Sequence, residues 1–252
     1  PALRNLYEAG YTVAGVVTAP DKPAGRGRLL RESPVKQFAR QAGITVLQPP
    51  NLKDPAFQQQ LAELSPDLQV VVAFRKLPEA VWALPPYGTF NLHASLLPDY
   101  RGAAPINWAL INGERQTGVT TFFLSHEIDT GAILQQKHVP IATDDSAGTL
   151  HDKLMMAGAD LTKTTVDAIA GWTAQPRKQE PGQAGKTAPK ITKATCRINW
   201  EWPATYLYNF IRGLSPYPAA WTMFGNDQLK VFWAEPKMQE HDHPKGMLFP
   251  TG

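Results

Sequence analysis

The sequence predicts an α/β protein built on a mostly parallel sheet, followed by a smaller β-rich domain, and three observations carry that reading. Apolar runs of strand length alternate with capped helical patterns through the first half, as in "ITVLQPP", "DPAFQQQLAEL" and "DLQVVVAF". A strand that follows a helix that follows a strand implies a crossover, and crossovers make neighbouring strands parallel. The 252 residues are 43% hydrophobic, enough for one large or two modest cores. Composition then shifts: "GWTAQPRKQEPGQAGKTAPK" is rich in Pro, Gly, Gln and Lys without periodicity and reads as a linker. The expected division is an α/β domain over residues 1–174, a linker over 175–192 and part of a β-rich domain over 193–252.

In chain order, "NLYEAG" reads as a helix end with Gly10 as its stop, and "YTVAGVVTAP" as a buried strand. "PDKPAGRGRLLRE" holds too much Pro, Gly and Arg for regular structure and reads as a long basic loop. In "SPVKQFARQAG" Ser33 caps a helix, Pro34 suits its first turn and Gly43 ends it. "ITVLQPP" is a short strand, "DPAFQQQLAEL" a capped helix, and the continuous apolar run of "DLQVVVAF" predicts a strand buried on both faces. "PEAVWALP" gives a short helix, "GTFNLHASLLP" a strand with its exit loop, and "PINWALING" a helix. "GVTTFFLSHEIDTGAILQQKHVPI" reads as two strands around a turn holding Glu127, Asp129 and Gly131. One long amphipathic helix follows, with Leu150, Leu154, Met155, Leu161 and Val166 on or near its inner face. Past the linker, "PATYLYNFIRGL" is helix-like, and "PAAWTMFG" and "QLKVFWAEP" are strands.

Composition narrows the function classes. There is no run of about 18 apolar residues and no basic-then-apolar leader, so neither a membrane span nor a signal peptide is expected. The lone Cys196 fits a reducing compartment and reads as a buried small hydrophobe. Net charge is +3, yet Lys22, Arg26, Arg28, Arg31, Lys36 and Arg40 face only Glu32 within residues 22–40, a patch suited to a phosphate backbone. No Walker loop is present, because "GRGRLL" lacks the Lys-Ser/Thr ending, and no GxGxxG occurs. His241 and His243 in "EHDHPKG" offer no convincing tetrahedral metal set, and His151 reads as structural. Trp200, Trp202, Tyr206, Tyr208 and Phe210 read as an aromatic core, although such rings can also stack on bases.

The chemistry is expected where the central strand ends. Residues i and i+2 of a strand face one way, so Asn91 and His93 project together at the sheet's C-terminal edge, where open parallel sheets bind ligands. An imidazole that moves protons needs a carboxylate to fix its tautomer and stabilise its charged form, and Asp129 is the candidate. An amide donor beside it can stabilise an oxyanion. The three together suit acyl or formyl transfer to an amine without a metal or a covalent enzyme intermediate.

The stretch "NLHASLLPDYRGAAPINWALINGERQTGVTTFFLSHEIDTGAILQ" closely resembles the folate-dependent formyltransferases, and "GVVTAPDKPAGRGR", "VVAFRKLP" and "INWEWPATYLYNFIRGLSPYPAAWT" extend the likeness over nearly the whole chain. The likeness points to the branch acting on methionine esterified to initiator tRNA. It implies a Rossmann-like formyltransferase domain followed by an OB-like β-barrel domain, incomplete here because family members usually begin with an earlier strand and the chain ends at "FPTG". It implies Asn91, His93 and Asp129 as the catalytic set. A folate pocket made largely of backbone would fall on Phe74, Arg75, Lys76, Leu77 and Pro78, and on Ser125, His126, Glu127 and Ile128, beside the turn Ser95, Leu96, Leu97 and Pro98. The co-substrate would be 10-formyltetrahydrofolate and the partner initiator methionyl-tRNA, in a bacterial cytoplasm or organellar matrix, with no metal, membrane or obligate protein partner. Lys22, Arg26, Arg28, Arg31 and Lys36 would contact the tRNA.

Rival readings share parts of this pattern. A formyltransferase for an amino sugar nucleotide or glycinamide ribonucleotide, or a folate hydrolase, would keep the same three residues, but "RGAAP" together with the basic loop favours the tRNA branch. A non-catalytic RNA-binding protein would have no use for Asn91, His93 and Asp129 together.

Overall fold

The computed structural model describes residues 1–24, 29–73, 75–180, 185–237 and 244–247, with backbone alone for 22–24 and 29–31. The chain forms two compact units. The first comprises residues 1–93, 120–135 and 158–178, and the second 94–119, 136–157 and 179–252.

The first unit opens with helix α1 (Ala2–Glu8) and strand β1 (Val16–Val17), shorter than "YTVAGVVTAP" suggested. The segment read as irregular carries an antiparallel ribbon, β2 (Lys22–Ala24) with β3 (Leu29–Arg31), in the register Lys22↔Arg31 and Ala24↔Leu29. Two strands of three residues escape a reading of composition, because their pairing is local backbone bonding that needs no apolar face.

Helix α2 (Pro34–Gln41) starts as its sequence dictates: the Ser33 hydroxyl accepts the Lys36 amide and Pro34 sits at the first helical position. Strand β4 (Val46–Leu47) pairs in parallel with β1, and α3 (Pro55–Glu63) is capped by Asp54, which accepts the Ala56 amide. Leu52, Phe57, Leu61 and Val81 form a buried cluster beneath α3 and α4 (Glu79–Trp82).

Strand β5 (Gln69–Val72) pairs in parallel with β6 (Thr89–His93), Gln69 opposite Thr89 and Val72 opposite Leu92. Its expected burial on both faces does not hold: Val72 is 45% exposed. The physical reason is position, since Val72 ends the strand and the described residues after it, Ala73 and Arg75, are exposed; among the described residues β5 belongs to a four-stranded sheet with β6, β8 (Gln116–Phe123) and β9 (Ile133–Pro140). β8 runs antiparallel to β6, placing Asn91 opposite Phe122 and His93 opposite Thr120. Phe90, Leu134 and Val166 form a second buried cluster of this unit.

The second unit holds β7 (Arg101–Gly102), α5 (Pro105–Ile111), α7 (Ala204–Leu214) and the hairpin β11 (Ala220–Phe224) with β12 (Asp227–Val231). The long α6 (Ala147–Ala170) is a single helix as its period required. Leu150, Leu154, Leu161 and Val166 are buried along it, but Met155 is 37% exposed. One residue beyond Leu154 is about 100° around the helix, outside the apolar stripe.

Residues read as linker take part in β structure. Strand β10 (Thr187–Ala188) pairs in parallel with β7, the Ala188 carbonyl accepts the amides of Ala103 and Ala104, and Arg177 bridges Ile133. Cys196, at a 3-10 turn (Ala194–Cys196), is free and buried as expected, and burial raises its thiol pKa. It packs with Ile111, Ile198, Phe210 and Leu214. Trp202 lies edge-on to both Tyr206 and Phe210 against this cluster, so these rings build core, while Trp200 stays 36% exposed.

Candidate active site

Strand alternation on β6 directs Asn91 and His93 to one face, and each is half-buried or buried. His93 is 7% exposed, and its ring stands edge-on to Phe122 with centroids 6.5 Å apart. Phe122 is fully buried on the neighbouring strand, so it fixes one side of the imidazole.

Asp129 comes from the turn between β8 and β9. His93 Nδ1 lies 4.0 Å from Asp129 Oδ2, with the side chains 7% and 12% exposed. That separation exceeds a direct hydrogen bond, is a span one water can bridge, and sets the carboxylate beside the ring with little solvent between them.

The turn holds Asp129 in a left-handed conformation, φ +57°. Three oxygens brace it. Ser125 Oγ and Thr130 Oγ1 lie 3.1 Å apart, and each is 3.2 Å from the Glu127 carbonyl. With one proton per hydroxyl, one donates to the other and the second donates to the carbonyl, closing the loop on itself. Gly131 completes the turn because a Cβ there would sit 1.7 Å from the Phe123 carbonyl oxygen. Sequence reasoning singled out Asp129 but missed Phe122, Thr130 and this bracing role of Ser125; the only hint was a hydroxyl residue directly before the glycine in "DTG".

The remaining expected contacts divide. His126 is 75% exposed, with Nε2 3.7 Å from Glu79 Oε1 and its ring edge-on to Trp82 at 5.4 Å, while Glu127 and Ile128 are exposed beside it. In the other loop Arg75 donates to the carbonyls of Pro49 and Pro50 at 2.6 and 3.0 Å, and so ties the loop down. Lys76 is exposed, Leu77 packs on the α3 cluster, Pro78 precedes α4, and Phe74 lies outside the described residues.

In the second unit the turn after β6 is locked by its own bonds. Ser95 Oγ donates to the Asp99 carbonyl at 2.6 Å and Gln136 donates to the Leu97 carbonyl at 2.9 Å. Ser95 and Leu97 are 0% and 3% exposed, Leu96 and Pro98 half-buried, so a ligand contact by Ser95 or Leu97 would come from backbone.

Of the basic residues, Arg26 and Arg28 lie outside the described residues, and Lys22 and Arg31 are paired across the ribbon as backbone. Lys36 is engaged in ion pairs with Asp21 and, at 3.3 Å, with Glu32. His151 is exposed on α6 beside Asp152, and His241 and His243 lie outside the described residues. No group of three or more His, Cys, Asp or Glu placed to hold a metal occurs among the described residues.

Residues 3–166 match the family described as formyl transferase, and residues 190–251 match its companion, formyl transferase, C-terminal domain. The chain belongs to the formyl transferase family. Within that family it is 55% identical over 260 aligned residues to a methionyl-tRNA formyltransferase of Bacteroides thetaiotaomicron, covering 100% of this chain and 80% of that protein. Solved structures share the fold at lower identity. A sugar N-formyltransferase from Shewanella sp. superposes with a TM-score of 0.66 at 21% identity, over 82% of this chain and 83% of that one. HypX from Aquifex aeolicus, solved in complex with tetrahydrofolic acid, gives 0.62 at 20% identity, over 77% of this chain and 34% of that one.

Proposed function

We propose that this formyl transferase moves the formyl group of 10-formyltetrahydrofolate to the free amine of methionine on initiator tRNA. The observation that carries the reading is the 55% identity, along the whole chain, with a protein of that activity, against 21% with a sugar N-formyltransferase. The site chemistry agrees with it.

In the reaction the methionyl amine attacks the formyl carbon, the carbonyl oxygen takes up charge, and the bond to N10 of the folate breaks. The Asn91 amide donates a hydrogen bond to that developing oxyanion. His93 accepts the proton leaving the attacking nitrogen and returns it to the departing N10, so the products are formyl-methionyl-tRNA and tetrahydrofolate. Asp129 stabilises the imidazolium in between, across the 4.0 Å contact. Phe122 keeps one flank of the ring apolar and so strengthens that charge contact.

The turn 125–130 and the loop 75–78 suit the donor: Ile128, 63% exposed, offers apolar surface to a flat ring, turn backbone offers hydrogen-bonding groups, and exposed Lys76 suits a carboxylate tail. The basic segment 22–31 is assigned to the tRNA. The reaction as written needs no metal ion.

The division at residues 174 and 193, and an OB-like barrel as the form of the C-terminal domain, belong to the same proposal; the described part of that domain contributes the β11–β12 hairpin and α7. A cytoplasmic setting follows from the substrate, and no described helix is long and apolar enough to cross a membrane.

The test is an acceptor panel: labelled formyl donor offered to initiator methionyl-tRNA, glycinamide ribonucleotide, an amino sugar nucleotide, and no acceptor. Label recovered as formyl-methionyl-tRNA alone supports the proposal. Preferred formylation of another amine, or free formate, would overturn it.

A further inference from the structure

Lys36 breaks a local rule. It is the third residue of α2, where the exposed amides favour acidic side chains and disfavour a cation. A residue set against its helix needs a compensating partner, and here there are two. Its ammonium bonds Asp21 and lies 3.3 Å from Glu32, and the side chain is 14% exposed.

Those two partners are unusual in the sequence. Between Glu8 and Asp54 they are the only acidic residues, and they stand immediately before β2 and immediately after β3. One ammonium therefore joins both feet of the basic ribbon to the first turn of α2. Each foot has a second tie: Gln48 donates to Asp21 at 3.0 Å and to the Ala19 carbonyl at 2.8 Å, and Arg40 donates to Glu32 at 2.8 Å. The mutual effects are consistent, with hydrogen bonding holding Asp21 below its ordinary carboxylate range and Lys36 above its ordinary range.

We propose that Asp21, Lys36 and Glu32 form a clamp that closes the base of the β2–β3 ribbon and aims it at the nucleic-acid acceptor, so that Lys36 is a positioning residue and not a phosphate contact. The inference rests on the proposed reading of the ribbon as the tRNA-contacting segment. It makes a prediction of opposite sign to simple electrostatics. Removing an acidic side chain beside a basic patch raises its attraction for phosphate. A clamp loses its hold when either partner goes, so the neutralised acid weakens tRNA use.

The experiment measures kcat/KM for initiator methionyl-tRNA at saturating donor, across a salt series, for Asp21→Asn, Lys36→Met and the double variant Arg26→Ala/Arg28→Ala. The same measurement on a short methionyl-esterified CCA fragment, which lacks the tRNA's paired stem, reports whether the catalytic unit is intact. The clamp predicts that Asp21→Asn lowers kcat/KM for tRNA about tenfold, in the same direction as Lys36→Met, with activity on the fragment and the KM for donor unchanged. If Asp21→Asn instead raises kcat/KM or leaves it unchanged, while the double arginine variant lowers it, the clamp is refuted and the ribbon reading survives. A Lys36→Met variant whose log–log salt slope drops by about one while Asp21→Asn is silent would make Lys36 a direct phosphate contact. If the double arginine variant is also silent, the ribbon does not read tRNA and both proposals fall.

Discussion

At the scale of single residues, the candidate site sets His93 Nδ1 4.0 Å from Asp129 Oδ2. Asn91 and His93 were legible in the sequence because strand alternation is a strict period of two. Asp129 was legible only as an acid in a turn; its approach to His93 depends on a left-handed backbone that no periodicity encodes. The hydroxyls of Ser125 and Thr130 maintain that backbone, so Thr130 carries a prediction. Thr130→Val removes one hydroxyl at constant volume and leaves the bracing incomplete. Single-turnover formyl transfer should slow by about fivefold, on the scale of about 1 kcal/mol for one hydrogen bond, and Thr130→Ser should restore it. Equal rates for Val and Ser would show that the bracing has no bearing on Asp129.

At the scale of elements, helices whose caps are written into the sequence formed where expected: Ser33 and Asp54 each accept an amide at the start of α2 and α3. The cap of α6 was less legible than its extent, because it is a reciprocal pair in which Thr149 stands where Glu or Gln is usual. Ser146 Oγ accepts the Thr149 amide at 3.2 Å and Thr149 Oγ1 accepts the Ser146 amide at 2.9 Å. Asp145, 4% exposed, sits just before it. Burial disfavours its charge, but bonds from Lys153, the Ala142 amide and Thr149 outweigh burial and hold its carboxyl below the ordinary value. A lowered folded-state pKa stabilises the fold above the unfolded pKa and is lost as pH falls through the folded one. Below about pH 4, denaturant midpoints of the native protein should therefore fall more steeply with acid than those of Asp145→Asn, which should be less stable at pH 7. Parallel pH dependences would contradict the assignment. The ribbon β2–β3 and the pairing of β10 with β7 were not legible, since short backbone pairings leave no apolar signature.

At the scale of the whole chain, the alternation of strands and helices, the change of composition near residue 171 and the family likeness all pointed one way, and the family assignment followed. Two details departed from it: Val72 ends β5 and is exposed there, and part of the linker joins a strand pair through long-range placement. The central claim is that Asn91 and His93 perform formyl transfer to methionyl-tRNA. The most direct measurement is the single-turnover rate of that transfer at saturating donor and tRNA, for the native protein, Asn91→Ala and His93→Ala, with thermal midpoints recorded in parallel. The account predicts that each variant keeps its fold and loses roughly two to four orders of magnitude in rate. A folded His93→Ala protein that formylates methionyl-tRNA at the native rate would contradict it.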